Sequence, residues 1–187
     1  MTSPTVGVLA IQGDFEAHAK ILERLGAEAR AVRTRDDLEG LDGLVIPGGE
    51  STTMSRGIES ERLAEPLREL VLSGTPILGT CAGLIMLDRH HLGLLDMSAR
   101  RNAFGRQVQS FEADLELDGF GPLRGIFIRA PWVEEHGPDV QVLAEVDGHP
   151  VAVRKGDVLA VAFHPELTDD VRLHRWLVER SNGGGER

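Results

Sequence analysis

The sequence predicts an α/β fold: a three-layer sandwich with a central, mostly parallel sheet, helices on both faces, and antiparallel strands added in the second half. Three observations carry this. In the first half, short continuous apolar runs recur without polar alternation, as strands covered on both faces require. Segments with apolar residues at helical spacing fall between those runs. In the second half, runs rich in Val, Leu, Ile and Phe are separated by Gly-containing turns of the hairpin kind.

The elements follow in order. Residues 5–11 form an apolar run closed by Gly13, which reads as a buried strand. Asp14 is placed to cap a helix whose Ala17, Ile21, Leu22 and Leu25 share one face, and Gly26 ends it. A short strand is expected at 28–33, and another at 43–46, stopped by Pro47-Gly48-Gly49. Residues 61–72 read as an amphipathic helix ending at Ser73-Gly74, with Pro66 kinking or breaking it. The strand 76–80 runs straight into Cys81, and 82–89 is helical. Beyond it, strands are expected at 107–117, 125–130, 140–147 and 151–163, with turns at 146–150 and 154–157. A helix over 168–180, capped by Thr168-Asp169-Asp170, closes the fold.

The 187 residues predict one domain spanning 1–187, with 182–187 a frayed, Gly-rich tail. A hydrophobic fraction of 41% and only 4% aromatics, with no tyrosine, imply a core of Leu, Val, Ile and Ala. The formal net charge of -10 argues against nucleic acid or an anionic membrane as partner, because both require a basic footprint. One cysteine allows neither an internal disulfide nor a zinc site of the paired-cysteine type. The residues at the start lack a basic segment and an apolar core long enough for export or membrane insertion, so a cytoplasmic location is expected.

Gly79-Thr80-Cys81-Ala82-Gly83 lies between an expected strand and an expected helix. Glycines two residues either side of a nucleophile permit a sharp turn that lifts the side chain out of the sheet. The same turn sets the sulfur near a helix N-terminus, whose partial positive charge suits an anion. Taken alone, a lone cysteine is more often a small buried hydrophobe. A nucleophilic thiol needs a proton acceptor. Of seven histidines, His18, His90, His91, His136, His149 and His174 sit among polar neighbours and read as solvated surface. His164 differs: it ends the apolar run 158–163 and precedes Pro165-Glu166. In extended backbone, residues i and i+2 point to one side, so Glu166 can orient the His164 ring. Pro47-Gly48-Gly49-Glu50-Ser51-Thr52 links a strand to a helix, and its glycines can turn backbone amides toward a ligand. Gly48, Gly49 and Ala82 are therefore candidate oxyanion donors. The plainer reading of this segment is a connecting loop with Ser51 as helix cap. No phosphate-loop pattern is present.

Together, Gly-Thr-Cys-Ala-Gly, Pro-Gly-Gly-Glu-Ser-Thr and His-Pro-Glu resemble the class I, triad-type glutamine amidotransferases. Residues 6–18 (VGVLAIQGDFEAH), 100–112 (RRNAFGRQVQSFE), 125–132 (GIFIRAPW) and 161–167 (VAFHPEL) look like the glutaminase subunits of pyridoxal 5′-phosphate synthase. The resemblance runs from about residue 5 to 180. It implies a flavodoxin-like sandwich and hydrolysis of L-glutamine to glutamate and ammonia without a cofactor or metal. It also implies a (β/α)8-barrel synthase as partner, in a complex of twelve copies of each subunit. Carried over by position, it makes Cys81 the nucleophile, His164 the acid/base and Glu166 its orienter. It further makes Gly49, Glu50, Ser51, Arg101, Ile128 and Arg129 contacts for glutamine. A guanidinium suits an α-carboxylate, and Glu50 could meet the α-ammonium. The chain departs from the family in a compact 87–96 stretch, where the family carries a longer insert. The edge of the sheet bearing Gln12-Gly13-Asp14 and Cys81 is expected to dock the synthase.

Three rival readings fit the residues less well. A glutaminase of another pathway, such as imidazole glycerol phosphate synthesis, fits the Gln-Gly-Asp-Phe and Arg-Asn-x-Phe-Gly-Arg-Gln segments poorly. A cysteine peptidase or chaperone-like protein of similar topology would carry histidine directly after the cysteine, where Ala82 stands. A regulatory scaffold would lack a triad member, and all three candidates are present.

Overall fold

The computed structural model of the chain describes residues 3–13, 15–105, 107 and 109–183. The strands are β1 (Thr5–Leu9), β2 (Glu28–Val32), β3 (Gly43–Ile46), β4 (Ile77–Thr80), β5 (Met97–Arg100), β6 (Ser110–Leu117), β7 (Gly121–Ile128), β8 (Trp132–His136), β9 (Gln141–Val146), β10 (His149–Lys155) and β11 (Val158–Val161). The helices are α1 (Phe15–Arg24), α2 (Ser51–Ser60), α3 (Ala64–Leu72), α4 (Ala82–Leu87) and α5 (Arg172–Asn182).

Seven strands form the main sheet in the order β2-β1-β3-β4-β11-β10-β9. The first five are mutually parallel, whereas β10 and β9 continue the sheet antiparallel. Every residue of β3, β4 and β11 is buried, which is why their sequences run apolar without alternation. Helices lie on both faces, and strand parity shows it. A Cβ on Gly43 would run into Leu177 and Ser181 of α5, whereas Ile46, three residues on, abuts Gly83 of α4. Residues three apart in a strand face opposite ways. Helices α1 and α5 also pack on each other, and α2 packs on α4. Among the described residues no helix is long and apolar enough to cross a membrane.

The α/β architecture, with a mostly parallel sheet and later antiparallel strands, is the one expected. The hairpins at 146–150 and 154–157 are present: Asp147 and Gly148, both at positive φ, join β9 to β10, and Gly156-Asp157 joins β10 to β11. Several boundaries differ from expectation. The first strand ends at Leu9, and the cap expected at Asp14 falls outside the described residues. The helix expected over 61–72 begins at Ala64, after a turn with Arg62 at φ 54, so Pro66 sits in the first turn and neither kinks nor breaks it. An N–H in that turn has no intrahelical acceptor, so proline loses nothing there. The closing helix starts at Arg172 because Thr168 and Asp170 cap a separate turn: the Asp170 amide donates to Thr168 Oγ1 and the Arg172 amide to Asp170 Oδ1. That helix runs to Asn182, so the first residue of the expected tail is helical; 184–187 lie outside the described residues. The compact 87–96 stretch is tied down by the buried Asp88 carboxylate, which accepts from the amides of His90 and Ala99 and pairs with His91 Nδ1 at 2.7 Å.

Helix α4 lies unusually close to the sheet. A Cβ on Gly83 would collide with the Ile46 carbonyl, and one on Gly79 would fall 3.0 Å from the Gly83 backbone. Since the Ile46 carbonyl is backbone and cannot swing aside, Gly83→Ala should lower stability by about 1–3 kcal/mol. Urea unfolding checks this; a midpoint equal to wild type would show that α4 can lift without cost.

Candidate active site

Two neighbouring parallel strands build the site. Thr80 at the end of β4 pairs with Val161 at the end of β11, and the Cys81 amide donates to the Val161 carbonyl at 2.8 Å. Both chains therefore leave the sheet at one edge. Cys81 turns there with φ 50 and ψ -106, a conformation non-glycine residues rarely adopt, which holds about 1–3 kcal/mol of strain. The close approach of Gly79, Gly83 and Ile46 holds this turn in place. The sulfur is not sealed in apolar packing: Cys81 lines a cavity together with His164, and Sγ lies 3.8 Å from the Ile128 carbonyl.

His164 follows β11, its amide donating to the Ile126 carbonyl at 2.9 Å. The expected pairing with Glu166 is present, with His164 Nδ1 2.6 Å from Glu166 Oε1. Its geometry is not the extended i, i+2 arrangement expected from the sequence. Pro165–Leu167 form one 3-10 turn with His164 at its cap, because the fixed φ of Pro165 favours a helical start. The turn folds the Glu166 carboxylate back to the ring and buries it completely. Nδ1 being occupied, Nε2 is the nitrogen left for the thiol. Burial alone pushes the His164 ring down, but the hydrogen bonds to Cys81 and Glu166 and their charges outweigh it and raise the pKa to about 10. Gly48 sits against this pair without lining the cavity: a Cβ there would fall 2.7 Å from His164 Cε1 and 3.4 Å from Cys81 Cβ. Only glycine fits.

The cavity holds about 380 Å³. It is lined by Gly49, Glu50 and Ser51, by Cys81, Ala82 and Ile85, and by Arg101, Asn102, Ile128, Arg129 and His164. Every residue expected to contact a substrate is thus brought together, and Ile85 and Asn102 join them unannounced. Ser51 is not the helix cap: Glu50 is, its carboxylate accepting from the amides of Thr52 and Thr53. Those amides and the Thr53 hydroxyl hold the Glu50 carboxyl down to about 2. Arg101 reaches across to Glu50 Oε1 and Thr52 Oγ1, both at 3.1 Å. Gln12 and Gly13 touch Gly49, which puts the first loop on the same sheet edge. Among the described residues no protein acceptor takes the amide N–H of Gly49 or of Ala82.

Two histidines contradict the expectation of solvated surface. His18 of α1 and His174 of α5 are fully buried. His18 Nδ1 is 2.8 Å from His174 Nε2, and His18 Nε2 is 3.6 Å from Glu166 Oε2. The signal was in the helical spacing. His18 shares the stripe of Ile21, Leu22 and Leu25, and His174 that of Leu177, Val178 and Ser181. Burial, with His174 and His164 nearby, lowers the pKa of His18 well below 6.5, and burial lowers that of His174 from 6.5 to about 4. Both rings are therefore neutral when folded. Unfolded, each takes up a proton below pH 6.5, so the stability they confer is full above that pH and is lost as pH falls toward about 4. His164 adds no slope in that window: its raised pKa keeps it protonated in both states below 6.5, where its stabilisation is fully present. Denaturant unfolding should show a loss on the order of 3 kcal/mol from His174 between pH 6.5 and 4. His174→Leu should flatten that slope; an unchanged slope would contradict the assignment.

A family model described as the SNO glutamine amidotransferase family matches residues 8–182. The chain belongs to that family. Among its curated relatives, the pyridoxal 5′-phosphate synthase subunit PdxT of Mycolicibacterium vanbaalenii is 54% identical to this amidotransferase, over 95% of this chain and 98% of that protein. The subunit of the same name from Mycobacteroides abscessus is 53% identical over 97% and 100%. A crystal structure of a glutamine amidotransferase superposes with TM-score 0.90 at 48% identity, covering 95% of this chain and 98% of that one. PurLQS from Thermotoga maritima, at 19% identity and TM-score 0.69, shares the fold.

Proposed function

We propose that this amidotransferase hydrolyses L-glutamine to L-glutamate and ammonia, and passes the ammonia to a synthase subunit that makes pyridoxal 5′-phosphate. The observation that carries the chemistry is that Cys81 and His164 line one cavity while Glu166 holds the Nδ1 side of the His164 ring. The relatives named as synthase subunits support the pathway.

In this mechanism the thiol proton already rests on His164 Nε2, as the raised pKa of that ring favours, and the thiolate sulfur attacks the carboxamide carbon of glutamine. The oxyanion lies against the amides of Gly49 and Ala82, with the Gly48 peptide beside it. Imidazolium returns its proton to the leaving nitrogen, and ammonia departs from a glutamyl thioester. Water, deprotonated by His164, attacks the thioester and releases glutamate. Glu166 holds the ring in the tautomer that presents Nε2 and stabilises the imidazolium. Arg101 and Glu50 bind the α-carboxylate and α-ammonium, and Ser51, Ile128 and Arg129 complete the amino-acid end of the cavity. No metal or cofactor takes part. The partner is a (β/α)8-barrel synthase, in an assembly of twelve and twelve, docked on the sheet edge that carries Gln12, Gly13 and Cys81. The reaction belongs to the cytoplasm.

Cys81→Ala should lower ammonia release from glutamine by a factor on the order of 10⁴ or more while leaving binding to the barrel partner intact. Turnover near wild type would end the assignment.

A further inference from the structure

The Glu166 carboxylate has two oxygens, and the mechanism above uses one. Oε1 meets His164; Oε2 is buried and has no hydrogen-bond partner among the described residues. A buried carboxylate oxygen without a donor is costly, so what faces it matters. The group facing it is His18 Nε2, at 3.6 Å. Behind His18 stands His174, at 2.8 Å.

We propose that His18 is a positioning residue for Glu166, and that His174 sets the tautomer in which His18 does this. The proposal rests on the glutaminase reading. The active line then has five members: Cys81, His164, Glu166, His18 and His174. It ties the edge of the sheet to the interior of α1 and α5.

The hydrogen between the two imidazoles can be placed in two ways. If His18 donates from Nδ1, its Nε2 turns a lone pair toward the carboxylate oxygen, which repels it. His174 must then carry its own hydrogen on Nδ1, which is buried without an acceptor. If His174 donates from Nε2, His18 carries its hydrogen on Nε2 and aims it at Glu166 Oε2. The only orphan is then a bare lone pair on His174 Nδ1, the cheaper one to bury. The second placement alone points every hydrogen toward the carboxylate.

At 3.6 Å this is a charge–dipole contact that becomes a hydrogen bond with a shift of a few tenths of an ångström. Contacts in resting active sites often tighten only as the reaction proceeds. Neutrality suits His18 to the task. A cation there would compete with the His164 imidazolium for the carboxylate, whereas a neutral N–H fixes the carboxylate plane and leaves its charge to His164. Among the described residues, every charged or titratable group facing His18 belongs to this line: His174 from α5, Glu166 from the 3-10 turn and His164 from the end of β11, with the Thr80 hydroxyl of β4 at 3.5 Å.

The test has a spectroscopic arm and a kinetic arm. Nitrogen-15 NMR of the wild-type chain should show His18 and His174 both neutral with hydrogen on Nε2; hydrogen on His18 Nδ1 overturns the proposal without any variant. With the synthase partner present, His18→Leu should lower kcat for glutamine hydrolysis about 10- to 100-fold, with KM within about twofold. It should also lower the pH at which His164 titrates, read by NMR in the free chain. His18→Gln, which keeps an N–H near the Nε2 position, should restore most of both. In a Glu166→Gln background, His18→Leu should cost little more. A merely structural pair would instead lower the melting temperature and leave kcat and the His164 titration unchanged, or cost the same factor with and without Glu166. Failure of the glutaminase reading is recognisable apart from this: the wild type would release no ammonia from glutamine, while the His18 tautomer and the His164 titration would still be measured.

Discussion

The site depends on one register: β4 and β11 run parallel side by side, with Thr80 opposite Val161 and the Cys81 amide on the Val161 carbonyl. Parallel neighbours deliver their C-terminal ends to the same edge, so a thiol and an imidazole far apart in the chain emerge together. A slip of one residue would turn one side chain to the other face. What prevents the slip is burial: every residue of both strands is packed on both sides, and the apolar set cannot be exchanged face for face.

Around that register the protein combines strain with rigidity. Cys81 adopts an unfavourable backbone conformation, and it persists because α4 is seated on the sheet through Gly79 and Gly83 with no room to relax. Gly48 approaches the imidazole from the loop after β3, so the ring is confined by backbone as well as by Glu166. On the substrate side, the Glu50 carboxylate does two jobs, closing the N-terminus of α2 and holding Arg101 over the cavity. A change in that loop would therefore be felt both in the helix and in the cavity wall.

The strands of the main sheet were legible because burial on both faces leaves a direct trace, an unbroken apolar run such as residues 43–46 or 158–161. The cavity residues were legible because glycines around a nucleophile and a histidine at a strand end are rare combinations. Strands β5 and β8 were not, since their polar residues face outward in a small sheet of their own, without the apolar run that marks a buried strand. The 3-10 turn at Pro165 escaped because a proline after a strand reads equally well as extended chain. His18 and His174 were missed for a different reason. Each has polar neighbours in sequence, and only their phase on α1 and α5 shows that they point inward. Nothing in one helix reveals what the other places opposite it.

The most direct check is to stop the reaction part-way. Mixing the chain and its synthase partner with glutamine, quenching in acid and mapping peptide masses should reveal a glutamyl group, glutamine less ammonia, on the peptide that carries Cys81, and nowhere else. Turnover that proceeds with Cys81 unmodified throughout, or an adduct on a different residue, would contradict the account.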